Sequence, residues 1–449
     1  MSSRPQIDLG DLIESQRLGR FAVILMAWAS MTMFIEGFEM QLVGYAAPAM
    51  IKALHVDKAS FGSIFGAGNF GYMLGALWLS SLGDRLGRRR LIIFGVFLFS
   101  IFTLAAAYGS SLLELSALRF AAGIGLGGAV PNAIALTVEY APRGTKATRI
   151  ALLYVAYTLG GVAAGLLSAR LLSGYGWTII FEIGGWGGLA MGALLLAFLP
   201  ESARFLAQRR PDDPALRRLV QRMRPNQALP ADAQFTVTEE PVRRVPVAAL
   251  FQDGRRPVTL LLWLAYITGI MALQFMTSWL PTLIAGTGIS VSLAVFTASL
   301  FHVGGTIGNV SVGWLTDRKG IRTIALGFLV AAPVVAVMGP ASTSVPLLMA
   351  AVLTAGFFIV GSHNGLNAVA GIIYPTWMRS TGAGWTTGVG RVGSIIGPVL
   401  GGFLISLDLP ISLLFLCVTV PVAISAAAMG LLSRRAAGQA VGEPASIGS

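Results

Sequence analysis

Polar and charged residues divide this chain into long, evenly apolar stretches rather than into alternating or one-sided ones. Runs of about 20 residues, enough to cross roughly 30 Å of hydrocarbon as helix, fall at 21–45, 59–82, 91–109, 112–138, 148–171, 177–199, 257–281, 291–316, 323–340, 345–372, 381–405 and 410–432. The pattern predicts an all-α membrane protein with twelve transmembrane helices. It also predicts the segments: an N-terminal lead-in at 1–20, a six-helix bundle at 21–199, a central loop at 200–256, a second six-helix bundle at 257–432 and a tail at 433–449. Within the loop only 211–223 has the spacing of a short amphipathic helix, and the rest reads as linker.

Composition agrees, with 55% hydrophobic and 12% charged residues against about 25% charged in soluble domains. The net charge of +12 would suit a nucleic-acid partner, but its placement excludes one. Of the 32 lysines and arginines, 27 fall on one side of the predicted spans. By the positive-inside rule this predicts both termini, the central loop and the tail to be cytoplasmic. The lone Cys417 allows no internal disulfide. With Asp8, Asp11 and Glu14 ahead of a long first run, no cleaved signal peptide is expected.

Two carboxylates interrupt that first run, in Glu36-Gly37-Phe38-Glu39. Acidic side chains at a membrane helix centre cost roughly 2.5–3.5 kcal/mol each, and a spacing of three is expected to put both on one helix face, as one wall of a shared site. Burial and mutual repulsion both work against a doubly ionised pair, which suits it to taking up and releasing a proton. A buried ion pair with Arg119 or Arg391 is the structural alternative, and the two readings are compatible.

A shift of 233 residues lays Gly71, Gly75, Asp84, Arg85, Gly87 and Arg89 onto Gly304, Gly308, Asp317, Arg318, Gly320 and Arg322. The chain therefore reads as two pseudo-symmetric halves, the arrangement by which transporters build a site between repeats near the bilayer midplane.

The stretch Gly83-Asp84-Arg85-Leu86-Gly87-Arg88-Arg89-Arg90, its degraded copy at 317–322, Arg119 to Gly127 (R-x-x-x-G-x-G-x-G) and Pro200-Glu201-Ser202-x-Arg204 together resemble the motifs of the major facilitator superfamily, over about residues 7–432. Within it, the acidic pair around Gly37, Pro48, His302 before Gly304-Gly305, and Gly390-Arg391-x-Gly393 resemble the aromatic acid:proton symporter family, bacterial uptake carriers for benzoate-type acids. That family has D-G-x-D where this chain has Glu36 and Glu39, so both charges stand on longer arms.

The resemblance implies a multi-pass protein of the bacterial inner membrane, working as a monomer and exchanging partners with the bilayer, protons and a small aromatic carboxylate, with no cofactor and no metal. Glu36, Glu39 and Arg119 are the proton-coupling candidates, Arg119 standing equally for a structural role. Arg391 is the first candidate to grip a carboxylate, since its planar fork matches one bidentately. His302, Phe38, Tyr154, Tyr157 and Trp385 are candidates for the rest of the pocket, with packing as the alternative for the aromatics. His363, beside Asn364 and Asn367, reads as a hydrogen-bonded helix contact. Gly83, Asp84, Arg85, Gly87, Arg88, Glu139, Asp317, Arg318 and Arg379 resemble the superfamily's cytoplasmic latch and are expected to gate conformation.

No G-x-x-x-x-G-K-[ST] phosphate loop, nucleophile–base pair or metal-ligand spacing appears, so an ATP-driven pump and an enzyme are not indicated. Proton-driven efflux of amphipathic drugs or organic cations stays open, as does a transporter-like sensor of aromatic acids. Gly397-Pro398-x-x-Gly401-Gly402 is similar to the glycine-proline motif of drug antiporters, but it stands in span 11 rather than span 5 and so counts against export.

Overall fold

Backbone N–H and C=O groups inside a bilayer have no water to bond, so each apolar run closes its hydrogen bonds within a helix. The computed structural model describes residues 6–14, 19–211, 213–224, 230, 234–237, 245–375 and 377–442. Parts of the predicted lead-in (1–5, 15–18), central loop (225–229, 231–233, 238–244) and tail (443–449) lie outside the described residues.

Among the described residues the first half contains six long helices: α1 (Arg20–Leu54), α2 (Lys58–Trp78), α3 (Arg88–Ala106), α4 (Leu112–Glu139), α5 (Lys146–Tyr175) and α6 (Thr178–Phe198). The second half contains α7 (Arg256–Ala285), α8 (Val291–Lys319), α9 (Arg322–Ala341), α10 (Val345–Ile373), α11 (Arg379–Ser406) and α12 (Ile411–Gly442). Eleven of these are long and apolar enough to cross a membrane. The twelfth, α2, is 21 residues long; its glycines dilute its apolar character because it is built for close packing.

Helix starts follow local chemistry. Asp57 accepts from the Ser60 N–H (2.8 Å), and Ser111 from that of Glu114 (3.2 Å), satisfying free donors at the openings of α2 and α4. The bond to Ser60 also holds the Asp57 carboxyl below the usual carboxylate range.

The internal repeat is visible in the packing. α1 packs on α5, α2 on α4, and α3 on α4 and α6, while α7 packs on α11, α8 on α10, and α9 on α10 and α12. Gly71 and Gly75 lie against the carbonyls of Phe120 and Ile124 on α4, and their repeat partners Gly304 and Gly308 lie against those of Leu353 and Phe357 on α10. No side chain fits at these crossings, which is how small residues bring membrane helices together. Gly87 and Gly320 both turn with positive φ, at 99° and 75°. Between the halves α2 meets α11 and α5 meets α8, pairs that exchange under the repeat, while α1 meets α7.

The loop carries a short helix at Pro214–Met223, within the expected 211–223, but a stretch that reads as linker joins the lead-in in a small sheet. A strand at Gln6–Asp8 pairs in parallel with Gln234–Thr236. The helices Leu9–Glu14 and Pro214–Met223 bury Leu9, Ile13, Leu216, Val220 and Phe235 together. The apolar positions of the lead-in, too few for a span, fasten it to the loop.

Candidate functional site

A cavity of about 640 Å³ lies between the halves, walled by α1, α2, α4 and α5 on one side and by α7, α8, α10 and α11 on the other. It extends to Arg88, Glu139, Lys146 and Arg204 at the basic end of the bundle. The opposite end is sealed. There Trp279 donates from Nε1 to the Pro398 carbonyl (2.8 Å), and Phe65 and Phe61 meet its ring edge-on at 5.3 and 6.3 Å. Nearby, Gly44 lies against the Thr277 carbonyl.

Glu36 faces this cavity and is buried. Its Oε1 accepts from the Tyr72 hydroxyl (3.3 Å), and Oε2 has no partner. The Tyr72 ring carries the Arg391 guanidinium, Cζ lying 4.2 Å from the ring centroid, within the range of a cation–π contact. Tyr72 thus joins a carboxylate of the first half to a cation of the second. Among the described residues the Arg391 side chain makes no ion pair within 4.0 Å and donates no hydrogen bond.

Glu39 points elsewhere. Three residues rotate a helix by about 300°, so the two glutamates diverge by about 60° rather than sharing one wall. Glu39 accepts from the Thr103 hydroxyl (2.7 Å) and lies 3.7 Å from Arg119, which also donates to the Thr103 hydroxyl (3.2 Å) and to the Glu39 carbonyl (3.4 Å). This cluster sits inside the first half, behind the cavity wall, with the second Glu39 oxygen unpartnered.

Of the other pocket candidates, Tyr154, Tyr157 and His302 line the cavity. His302 is buried, edge-on to Tyr45 and Phe301. Two aromatics do not belong to it. Phe38 packs in the core beside the α1–α5 crossing, where Gly37 and Gly160 bring the backbones together. Trp385 is 44% exposed and stacks on Trp263 on the outer face of the second half. Helical spacing gave both residues a suitable depth but not the direction of their side chains.

The structure adds residues that the sequence reading did not select. Tyr72 sits on α2 among the glycines of the internal repeat. Tyr266 donates to Asn367 Oδ1 (2.9 Å), and Asn364 donates to Asn309 Oδ1 (2.7 Å). Gln274 of α7 donates to Asn69 of α2 (3.0 Å), and Thr306 of α8 to Thr158 of α5 (2.8 Å), both across the halves. His363, read as a satisfied helix contact, instead lines the cavity edge-on to Tyr266 (4.8 Å) with Nδ1 unpartnered. The usable signal was the set of amide and hydroxyl groups inside apolar spans, which are costly without a purpose.

At the basic end, Arg88 pairs with Glu139 (2.9 Å) and Asp84 (3.3 Å). Glu201 Oε1 accepts from the N–H groups of Arg89 (3.0 Å) and Ser202 (2.9 Å), and packs against the turn at Gly87 that follows Gly83 and Arg85. The Tyr140 hydroxyl donates to the Glu201 carbonyl and accepts from the Ala203 N–H; burial holds it well above the ordinary phenol range, as a neutral two-way partner. In the second half Arg318 lies over the Trp314 ring (4.0 Å), and Asp317 and Arg379 are exposed at helix ends. Asp84 therefore bonds within its own half, its side chain 80% exposed.

Comparison with known proteins agrees with this architecture. The family model described as Major Facilitator Superfamily matches residues 29–398. A gallate transporter of Pseudomonas putida is 34% identical over 429 residues, 95% of each chain. The 4-hydroxybenzoate transporter PcaK of Pseudomonas aeruginosa is 34% identical over 96% of this chain and 98% of its own. A benzoate transport protein of Acinetobacter baylyi is 30% identical over 96% and 93%. Among solved structures, a bacterial homologue of the human lysosomal transporter Spinster, inward-facing and occupied, superposes with a TM-score of 0.73 at 16% identity, covering 93% of this chain and 98% of that one. The nucleoside transporter NupG does so at 0.69 and 13%, covering 93% and 100%.

Proposed function

The chain belongs to the Major Facilitator Superfamily, a family of membrane transporters rather than enzymes, and on that premise we propose that it takes up aromatic carboxylic acids of the benzoate or hydroxybenzoate type by proton symport. The observation that carries this reading is Arg391: a guanidinium facing a cavity between the halves, held on the Tyr72 ring and without a carboxylate partner among the described residues. A substrate carboxylate completes it bidentately. An organic cation would meet that same charge, which weighs against cation efflux.

The substrate's ring lies among Tyr154 and Tyr157, where offset or edge contacts add about 0.5–1.5 kcal/mol. Gln274, Asn364, Asn367, His302 and His363 supply polar groups for ring substituents. Relatives named for gallate and 4-hydroxybenzoate support a substrate bearing hydroxyls. Glu36 takes up and releases the coupled proton, with the Glu39, Thr103 and Arg119 cluster behind it holding charge balance in the first half. A carboxylate entering a negative interior works against about 2.3 kcal/mol per 100 mV, which one proton cancels and two reverse.

The protein resides as a monomer in the bacterial inner membrane with both termini cytoplasmic, as the placement of its basic residues supports. The cavity then faces the cytoplasm, and the seal around Trp279 is the outer gate. Rocking of the halves about the α2–α11 and α5–α8 contacts alternates access, with the Asp84, Arg88 and Glu139 cluster and the Asp317, Arg318 and Arg379 helix ends forming the inner latch.

The test is accumulation of radiolabelled 4-hydroxybenzoate in proteoliposomes under an imposed proton gradient. Glu36→Gln is expected to abolish gradient-driven accumulation while keeping exchange of internal for external substrate. Full accumulation by that variant would disprove coupling through Glu36.

A further inference from the structure

Outside the central cavity, a second hollow of about 370 Å³ opens between α8, α9 and α10 on the outer face of the second half. Its walls are apolar along most of their length: Val312 and Leu315 from α8, Leu326 and Val330 from α9, and Phe357 and Phe358 from α10. Leu326 and Val330 are 59% and 41% exposed, as expected of side chains that meet hydrocarbon rather than protein. At one end of the hollow stand two cations, Lys319 at the last turn of α8 and Arg322 at the first turn of α9.

The internal repeat makes these cations unusual. Arg322 is the repeat counterpart of Arg89. In the first half, the Arg89 guanidinium donates to the Leu196 carbonyl at the end of α6 (2.5 Å) and its backbone N–H bonds Glu201. Its role is thus fixed within the protein. Arg322 has no such carbonyl and no acidic partner, and neither it nor Lys319 makes an ion pair or side-chain hydrogen bond among the described residues. The neighbouring Arg318 is turned onto the Trp314 ring, and Asp317 does not line the hollow. Leu86 occupies the position equivalent to Lys319, so at these two positions the first half has one cation, bonded within the protein, and the second half has two without such partners; Arg90 of the first half, exposed, stands at the position of Thr323.

We propose that this hollow is a binding site for an anionic phospholipid, with the phosphate between Lys319 and Arg322 and one acyl chain along the groove of Leu315, Leu326, Val330, Phe357 and Phe358. The pairing of a membrane-facing apolar groove with unpartnered cations at its end supplies both parts of such a ligand. A zwitterionic lipid fills the groove equally well but brings a positive group to the cations. The positive end of the α9 dipole adds to the same preference.

The test is native mass spectrometry of the full-length protein in detergent, titrated with equal mixtures of dioleoyl phosphatidylglycerol and dioleoyl phosphatidylcholine. Wild type is expected to retain one phosphatidylglycerol with roughly 30-fold preference, from two cations acting on an anionic headgroup. Lys319→Gln with Arg322→Gln is expected to bring that preference close to one. Leu326→Trp, which fills the groove and leaves charge unchanged, is expected to reduce retention of both lipids, and Arg434→Gln with Arg435→Gln to change neither. Thermal midpoints of all variants establish that each is folded. No preference in wild type, or an undiminished one in the Lys319 and Arg322 variant, overturns the proposal. So does displacement of the lipid by millimolar inorganic phosphate, which would make the site a headgroup-only anion site.

Discussion

Tyr72 offers the sharpest test of the central site, because its two ends do separate work. Its hydroxyl reaches Glu36 at 3.3 Å and its ring holds Arg391 at 4.2 Å. Tyr72→Phe removes the first and keeps the second; Tyr72→Leu removes both. A cation–π contact shielded from water is worth about 2 kcal/mol, and 1.4 kcal/mol is tenfold in affinity, so loss of the ring corresponds to about 30-fold. The loss arises because Arg391, freed from the ring, is drawn by charge toward Glu36 and competes with the substrate carboxylate for it. Equilibrium binding of labelled 4-hydroxybenzoate to purified protein is expected to weaken by about 30-fold in Tyr72→Leu and by less than about threefold in Tyr72→Phe. Adding Glu36→Gln to Tyr72→Leu removes the competitor and is expected to recover part of the affinity. The reasoning is refuted if Tyr72→Leu binds as wild type does, or if Glu36→Gln deepens its defect.

Two further outcomes follow from packing and charge. Arg119→Leu leaves Glu39 buried without its cation, a loss of about 3–5 kcal/mol, so a lowered unfolding midpoint in detergent is expected, with partial recovery when Glu39→Gln is added; additive losses would contradict the pairing. Gly304→Val puts a side chain onto the Leu353 carbonyl, and overpacking of about 1–3 kcal/mol is expected to lower the midpoint and the yield of folded protein, whereas an unchanged midpoint would mean that the α8–α10 crossing is not tight.

Much of the fold was legible in the sequence because a bilayer leaves few alternatives. Apolar runs must be helices, and a shift of 233 residues laid glycines and charges onto one another. Glycine pairs such as Gly71 with Gly304 mark the same crossing in each half. The site was legible in its charges: Glu36 and Arg391 stand out against apolar surroundings, and both face the cavity. The direction of side chains was not legible. Glu39 and Phe38 are neighbours of Glu36 in sequence, yet one turns into an ion pair with Arg119 and the other into the core. Tyr72 carried no signal because a tyrosine among glycines reads as packing, and only the tertiary fold brings it Glu36 from α1 and Arg391 from α11. The pairing of residues 6–8 with 234–236 was hidden for a related reason, since three-residue strands carry too little periodicity to register.

That small sheet bears on how the chain is made. The partner of Gln6–Asp8 is Gln234–Thr236, which leaves the ribosome after α6 and before any residue of α7. The beginning of the chain can thus be tied to its middle while synthesis is only half complete. Domains made first tend to fold first, and this sheet joins the two ends of the first six helices without using any residue of the second half.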